Sequence, residues 1–343
     1  MSDKMSEVYE TYDMEIRQTM RGRGAILLST DQGLFQLKSP DVNESRLIAE
    51  YQFKEKLHDM GFPHIDRCVK NSRDELVTYD RYNNPYVMRY YFEGRECNLT
   101  VPDEVNLAVD NLARLHLVCR EVWCSTEGDV HIRVSSDFRR RNQELKRVRN
   151  FIVKQKQKRE FETVYLKAYD YFYDQAKQCE ENAVPMMDDA GEKTELEWGR
   201  PEHLGYCHGM YNQHSVILTQ TDAGPEVVGT INFDRFYVGN QLNDLYHFMR
   251  KTLEKNNYNF EIAEQIIRRY SAICPLNRQD MEYIYIQYRY PEKFYKISNQ
   301  YINAPKNWIS PKMLEKLEKV IQDEDKKQRV LEKLKNLYNY FTF

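Results

Sequence analysis

The sequence predicts an α+β protein in which a small, mainly antiparallel sheet with one helix precedes a larger, mostly helical region. Three observations predict it: Gly-punctuated apolar runs over residues 12–38, one helical pattern over 45–60, and helical periodicity over most of the chain beyond Glu93-Gly94.

The elements follow in order. Residues 12–38 read as three short strands, an approach strand and then Ala25-Ile26-Leu27-Leu28 and Leu34-Phe35-Gln36-Leu37-Lys38, separated by turns at Arg21-Gly22-Arg23-Gly24 and Asp31-Gln32-Gly33. Apolar runs between Gly-containing turns are the hairpin signal. Leu47, Ile48, Tyr51, Phe53 and Leu57 recur at mostly helical spacing until Gly61-Phe62-Pro63 stops the pattern, which predicts a helix crossing back over the hairpin sheet. Strand-like runs follow at 75–82 and 86–92, and residues 105–122 form an amphipathic helix with His116 as a packed residue.

Composition narrows the class. The 343 residues suggest about two domains or lobes. With 50 Lys+Arg against 53 Asp+Glu the net charge is −3, so no global positive excess points to nucleic acid. Hydrophobic residues at 41% and charged ones at 30% argue against wholesale disorder. No run of about 18 apolar residues and no apolar signal-peptide core is present, so no membrane insertion and a cytoplasmic site of synthesis are expected. Seven cysteines without a C-x-x-C pair fit reduced thiols, and the sequons at Asn43 and Asn98 are then chance. Residues 139–159 hold ten Lys/Arg and one acid, Glu144, while 180–197 hold seven acids and one Lys, and the two runs are expected to answer each other or to be separately solvated. Tyr is abundant at 26 copies, and Tyr285, Tyr288 and Tyr290 read either as core packing or as interface anchors.

The chemistry-bearing constellation is Cys207-His208-Gly209-Met210-Tyr211-Asn212-Gln213-His214-Ser215, running into an apolar strand, a turn at Asp222-Ala223-Gly224, and a second strand that ends Ile231-Asn232-Phe233-Asp234. It resembles the catalytic centre of kinase-like phosphotransferases, where H-G-D-x-x-x-x-N supplies a base and a metal-binding amide, and a later D-F-D supplies a metal carboxylate. Such a site needs an Asp to accept the hydroxyl proton, and an Asn and an Asp to hold Mg²⁺ on the phosphates. Here Met210 stands in the base position, Ser215 replaces the Asn, Asn232 replaces the carboxylate, and Asp234 survives two residues on. A thioether has no useful basicity, and general-base action is worth about 10²–10⁴-fold. His208 is expected to orient the loop through a backbone bond, and the resemblance implies that Asp244, which falls where these phosphotransferases put a bracing Asp, holds the loop.

Gly22 and Gly24 resemble a glycine-rich turn over nucleotide phosphates with its third Gly missing. Lys38 falls where a phosphate-holding strand lysine would be. Its expected partner on the crossing helix is Glu50, with Glu55 second. Nucleotide-binding residues, if a nucleotide binds, are thus Gly22, Gly24, Lys38 and Glu50, and a degenerate metal set is Ser215, Asn232 and Asp234. No P-loop, nucleophile elbow or zinc-ligand spacing is present.

Over nearly its full length the sequence resembles the CotS-family spore coat proteins of spore-forming Firmicutes, relatives of the aminoglycoside and choline kinase group. Carrying the resemblance are Glu93-Gly94-Arg95-Glu96-Cys97, Leu145-Lys146-Arg147-Val148-Arg149-Asn150-Phe151-Ile152 with Phe161-Glu162, residues 207–218, Tyr290-Pro291-Glu292-Lys293-Phe294-Tyr295-Lys296-Ile297-Ser298-Asn299-Gln300-Tyr301, and Lys306-Asn307-Trp308-Ile309-Ser310-Pro311-Lys312-Met313. The resemblance implies a two-lobed protein-kinase-like fold, with an N-lobe at 1–92 and a mostly helical C-lobe at 93–343 holding the degenerate loop. It also implies synthesis in the mother-cell cytoplasm, incorporation into the spore coat, and other coat proteins as partners. Two functions then compete. One is a pseudokinase that acts as a binding or scaffold module in coat assembly, without an obligatory cofactor. Its rival is an active phosphotransferase that uses ATP and Mg on a small molecule or a coat protein.

Overall fold

The computed structural model describes residues 5–122, 134–183, 203–304 and 310–340. Two compact units emerge, one comprising Met1–Val130, Gly205–Thr252 and Arg268–Cys274, the other His131–Leu204, Leu253–Ile267 and Pro275–Phe343. The segment around the His208-Gly209 loop therefore belongs to the same unit as the N-terminal sheet.

In the first unit a short helix α1 (Ser6–Tyr9) leads into β1 (Ile16–Gly22), β2 (Ala25–Thr30) and β3 (Gly33–Lys38). Beyond α2 (Glu44–Asp59) come β4 (Cys68–Val69), β5 (Thr78–Tyr79) and β6 (Pro85–Tyr90). The antiparallel order is β1-β2-β3-β6-β4, with β5 also on β6. Asn43 starts α2 by accepting the Arg46 N–H at 2.9 Å, the capping role for which a short polar side chain is suited. Val8, Leu28, Phe35, Leu37 and Met88 are buried against one face of this sheet.

The chain continues through β7 (Arg95–Glu96) and α3 (Pro102–Glu121), and re-enters the unit at β8 (Leu204–Cys207), β9 (Val216–Thr221), β10 (Gly224–Thr230) and β11 (Tyr237–Asn240). β9 pairs with β10 on one side and β7 on the other, and β8 pairs with β11. A core of Phe53 and Leu57 from α2, Leu115 and Cys119 from α3, Tyr206 from β8, and Phe233 and Phe236 ties these pieces together. Phe53 lies 4.9 Å from the Phe236 ring and 4.6 Å from Tyr206. Leaving the sheet region is α6 (Leu242–Lys255), followed by α7 (Phe260–Ile273).

The second unit is helical: α4 (Val134–Val153), α5 (Glu160–Ala183), α8 (Arg278–Arg289), α9 (Glu292–Ile302) and α10 (Pro311–Tyr340). Its core is aromatic, with Phe294 stacked between Tyr165 (4.9 Å) and Phe172 (4.6 Å), and Phe138 on Tyr290 (4.7 Å). Tyr283, Tyr288 and Tyr290 are buried. Much of the Tyr excess is thus core packing, with hydroxyls bonded inward, as from Tyr295 to Glu144 (2.7 Å) and Tyr301 to Glu162 (2.9 Å). Of the two charge runs, Arg139 reaches Glu180 (3.2 Å), whereas Arg141 pairs with Asp137 and Glu292, both at 2.6 Å. The acids at 188–197 lie outside the described residues. Six cysteines are buried free thiols, and Cys124 is outside the described residues. Among the described residues no helix is long and apolar enough to cross a membrane.

Candidate functional site

The loop after β8 is built on Asp244, at the start of α6. This buried carboxylate accepts the His208 N–H (2.6 Å) and the Gly209 N–H (2.9 Å), while His116 approaches it at 3.4 Å. Gly209 has φ +81°, and a Cβ there would lie 1.9 Å from the Arg235 carbonyl oxygen. The His-Gly pair is therefore a steric requirement of the loop.

His208 is buried, and its Nε2 meets the Ile231 carbonyl at 2.9 Å. Because a carbonyl only accepts, Nε2 carries the proton, and Nδ1 accepts the Met210 N–H at 3.3 Å. Both ring nitrogens are committed to backbone. Met210 is 46% exposed, and its carbonyl accepts from Ser215 Oγ (3.2 Å) and from the Asn212 amide. Ser215 is buried, with its hydroxyl turned into its own loop.

Asn232 adopts φ +70°, a left-handed conformation that Asn tolerates. Its N–H donates to Asp66 Oδ2 (2.8 Å), and its side-chain amide nitrogen donates to the His214 carbonyl (2.9 Å). Two residues on, Asp234 has both oxygens engaged by cations: Oδ2 is 3.2 Å from Lys38 Nζ, and Oδ1 is 3.2 Å from Arg89 Nη2.

Lys38 and Glu50 do not pair. Glu50 is buried and receives Arg89 Nε (3.2 Å) and Nη2 (3.1 Å) together with the Lys54 ammonium. Lys54, one helical turn beyond Glu50, also reaches Asp66 at 2.7 Å. Glu55 faces Arg67 instead. The strand cation Arg89 reaches α2 first, which leaves Lys38 to Asp234. Burial pushes the Glu50 carboxyl up, but Arg89 and Lys54 outweigh it and hold the group at about 2. Lys38, Lys54 and Arg89 thus face Glu50, Asp66 and Asp234 in one charge-balanced network.

Gly22 pairs with Ala25 at the ends of β1 and β2, so the glycine turn is two residues long, with Gly24 at φ +63°. Between the glycines, Arg23 reaches Glu96 at 3.2 Å, and Glu96 also holds His214. The turn and the loop are thus linked through Arg23, Glu96 and His214, while Lys38, Glu50, Asn232 and Asp234 meet the Lys54, Asp66 and Arg89 network; Glu55 stands apart on Arg67. Sequence reasoning missed Arg89, Lys54, Asp66 and Glu96. The available signals were a lone cation in Tyr86-Val87-Met88-Arg89-Tyr90 and a Glu-Lys pair four apart on a half-buried helix.

The family model described as "Spore coat putative kinase YutH" matches residues 5–334. The chain belongs to this family. Among solved structures, an aminoglycoside phosphotransferase from Alicyclobacillus acidocaldarius superposes with a TM-score of 0.76 at 16% identity, covering 97% of this chain and 95% of that one. The amicoumacin kinase hAmiN, solved with AMP-PNP, Ca²⁺ and Ami, gives 0.59 at 10% identity over 96% and 94%. A spectinomycin phosphotransferase complexed with ADP and spectinomycin gives 0.60 at 12% over 94% and 97%. At these identities the likeness establishes the fold, a mixed α+β kinase-like architecture of the aminoglycoside phosphotransferase type. A search of curated protein sequences finds no match.

A divalent ion of the kind such a fold carries would need hard oxygen donors, above all free carboxylates. The family member's residues do not fit it: Asp234 is neutralised by two cations, Ser215 donates into its own loop, and Asn232 is committed to His214. Among the described residues no group of three or more His, Cys, Asp or Glu is placed to hold a metal ion.

His208 carries a pH signature. Burial lowers its pKa below the ordinary 6.5, against the pull of Asp244. Below pH 6.5 the unfolded chain takes a proton that the folded imidazole refuses, so stability falls as pH falls, by up to about 1.4 kcal/mol per pH unit for one site. Denaturant unfolding between pH 7 and 5 should show this slope, and His208→Gln should flatten it.

Proposed function

We propose that this chain is a spore coat component that acts as a binding module in coat assembly and does not transfer phosphoryl groups. One observation carries the reading: the base position holds the Met210 thioether, and the imidazole beside it has both nitrogens spent on the loop backbone. Neither the Met210 thioether nor the His208 ring is left to take a hydroxyl proton. Membership of a spore coat family supports a coat location and coat proteins as partners. Residues 1–92 then serve as the small lobe and 93–343 as the helical lobe of a kinase frame kept for its shape. The rival reading rests on Lys38 and Asp234, and these two are paired with each other.

The test is phosphate incorporation from labelled Mg·ATP into the chain itself and into a coat extract, run alongside spores that express Lys38→Ala. The reading expects incorporation no greater than with Asp234→Ala, and normal coat assembly with Lys38→Ala. Incorporation abolished by Asp234→Ala overturns it.

A further inference from the structure

We propose that Arg89 is the resident counter-cation of Asp234 and excludes divalent metal from the site, so that the one surviving carboxylate of the degenerate set is served by the protein's own charge. The inference rests on the reading that this site performs no phosphoryl transfer, and adds the residue that closes it.

The geometry points to Arg89 more than to Lys38. Arg89 lies on β6 between β3 and β4, in register with Gln36 on one side and Cys68 on the other, so its backbone is held from both edges. Its side chain is 2% exposed, and the guanidinium bridges Glu50 on α2 to Asp234 Oδ1. A planar fork shared by two carboxylates cannot leave one without unpairing the other inside the fold. Lys38, in contrast, is 19% exposed, ends its strand, and has a second acid in Asp41 at 3.6 Å. A metal ion competing for Asp234 can displace a flexible lysine toward solvent, but it must carry its double charge up to a buried arginine that has nowhere to go.

Arg89→Met combined with Glu50→Gln removes the bridge as a balanced pair and leaves Lys54 with Asp66, and Lys38 with Asp234. Mn²⁺ alone serves as probe, with the free ion read by electron paramagnetic resonance. The wild-type chain is expected to bind no Mn²⁺ below roughly 1 mM, and the double variant to bind at least about tenfold more tightly, as a freed carboxylate does for a hard cation. Lys38→Met, which keeps the buried bridge, is expected to behave as wild type, and this arm holds even if the double variant fails to fold. Sub-millimolar Mn²⁺ binding by the wild type, a gain in Lys38→Met, or a folded double variant without a gain each overturns the proposal. None of these outcomes supplies a base at Met210, so the phosphate-incorporation assay judges the functional reading separately.

Discussion

Arg89→Ala should be among the most destabilising single changes in the N-terminal sheet, costing about 3–5 kcal/mol, because it strands a buried carboxylate whose partner is gone. Glu50 is 1% exposed and is held near pKa 2 by Arg89 and Lys54 against the cost of its burial. Without the guanidinium the larger of the two compensating cations is lost and Asp234 keeps only Lys38. At about 2–4 °C per kcal/mol, the unfolding midpoint should drop by roughly 10 °C. The paired change Arg89→Met with Glu50→Gln should cost much less than the sum of its single changes, since it removes opposite charges together. A paired loss equal to the sum of the two single losses would show that these groups are not coupled.

Gly209→Ala should cost about 3 kcal/mol or more. Left-handed backbone costs an L-residue roughly 1–2 kcal/mol, and here the added methyl would also overlap the Arg235 carbonyl at 1.9 Å. Relief of that overlap must pull the loop off Asp244, to which the Gly209 N–H donates at 2.9 Å. Gly24→Ala is the control: its φ of +63° is similar, but no atom lies within 4 Å of the new methyl, so only the backbone term of about 1–2 kcal/mol applies. Chemical unfolding of the two variants separates strain from collision, and equal losses would contradict the steric account of the His-Gly pair.

These residues also mark where the sequence could be read and where it could not. Gly22, Gly24 and Gly33 punctuate β1 to β3 because turns impose local backbone requirements, and α3 follows from the period of its apolar residues, whereas α2 exposes Ile48 and buries the charged Glu50 and Lys54. The degenerate loop was legible because its substitutions stand at fixed spacing from a recognisable His-Gly. Asp244 was legible only through the resemblance, and it accepts from His208 and Gly209 within the same segment of the unit. The partner of Lys38 was not legible. Choosing between Glu50 and Asp234 depends on Arg89, 39 residues from Glu50 and 145 from Asp234, and ion pairing has no sequence period. The same holds for residues 139–159, where Arg141 finds Glu292 in α9.

Thermal unfolding with and without ATP, each with and without Mg²⁺, tests most directly the proposal that this member of a spore coat putative kinase family has given up metal-dependent nucleotide chemistry. A ligand at 100 times its Kd stabilises by about 2.7 kcal/mol, a shift of several degrees for a protein of this size. No Mg-dependent shift is expected at millimolar ATP. A rise of several degrees that requires both ATP and Mg²⁺ would contradict it.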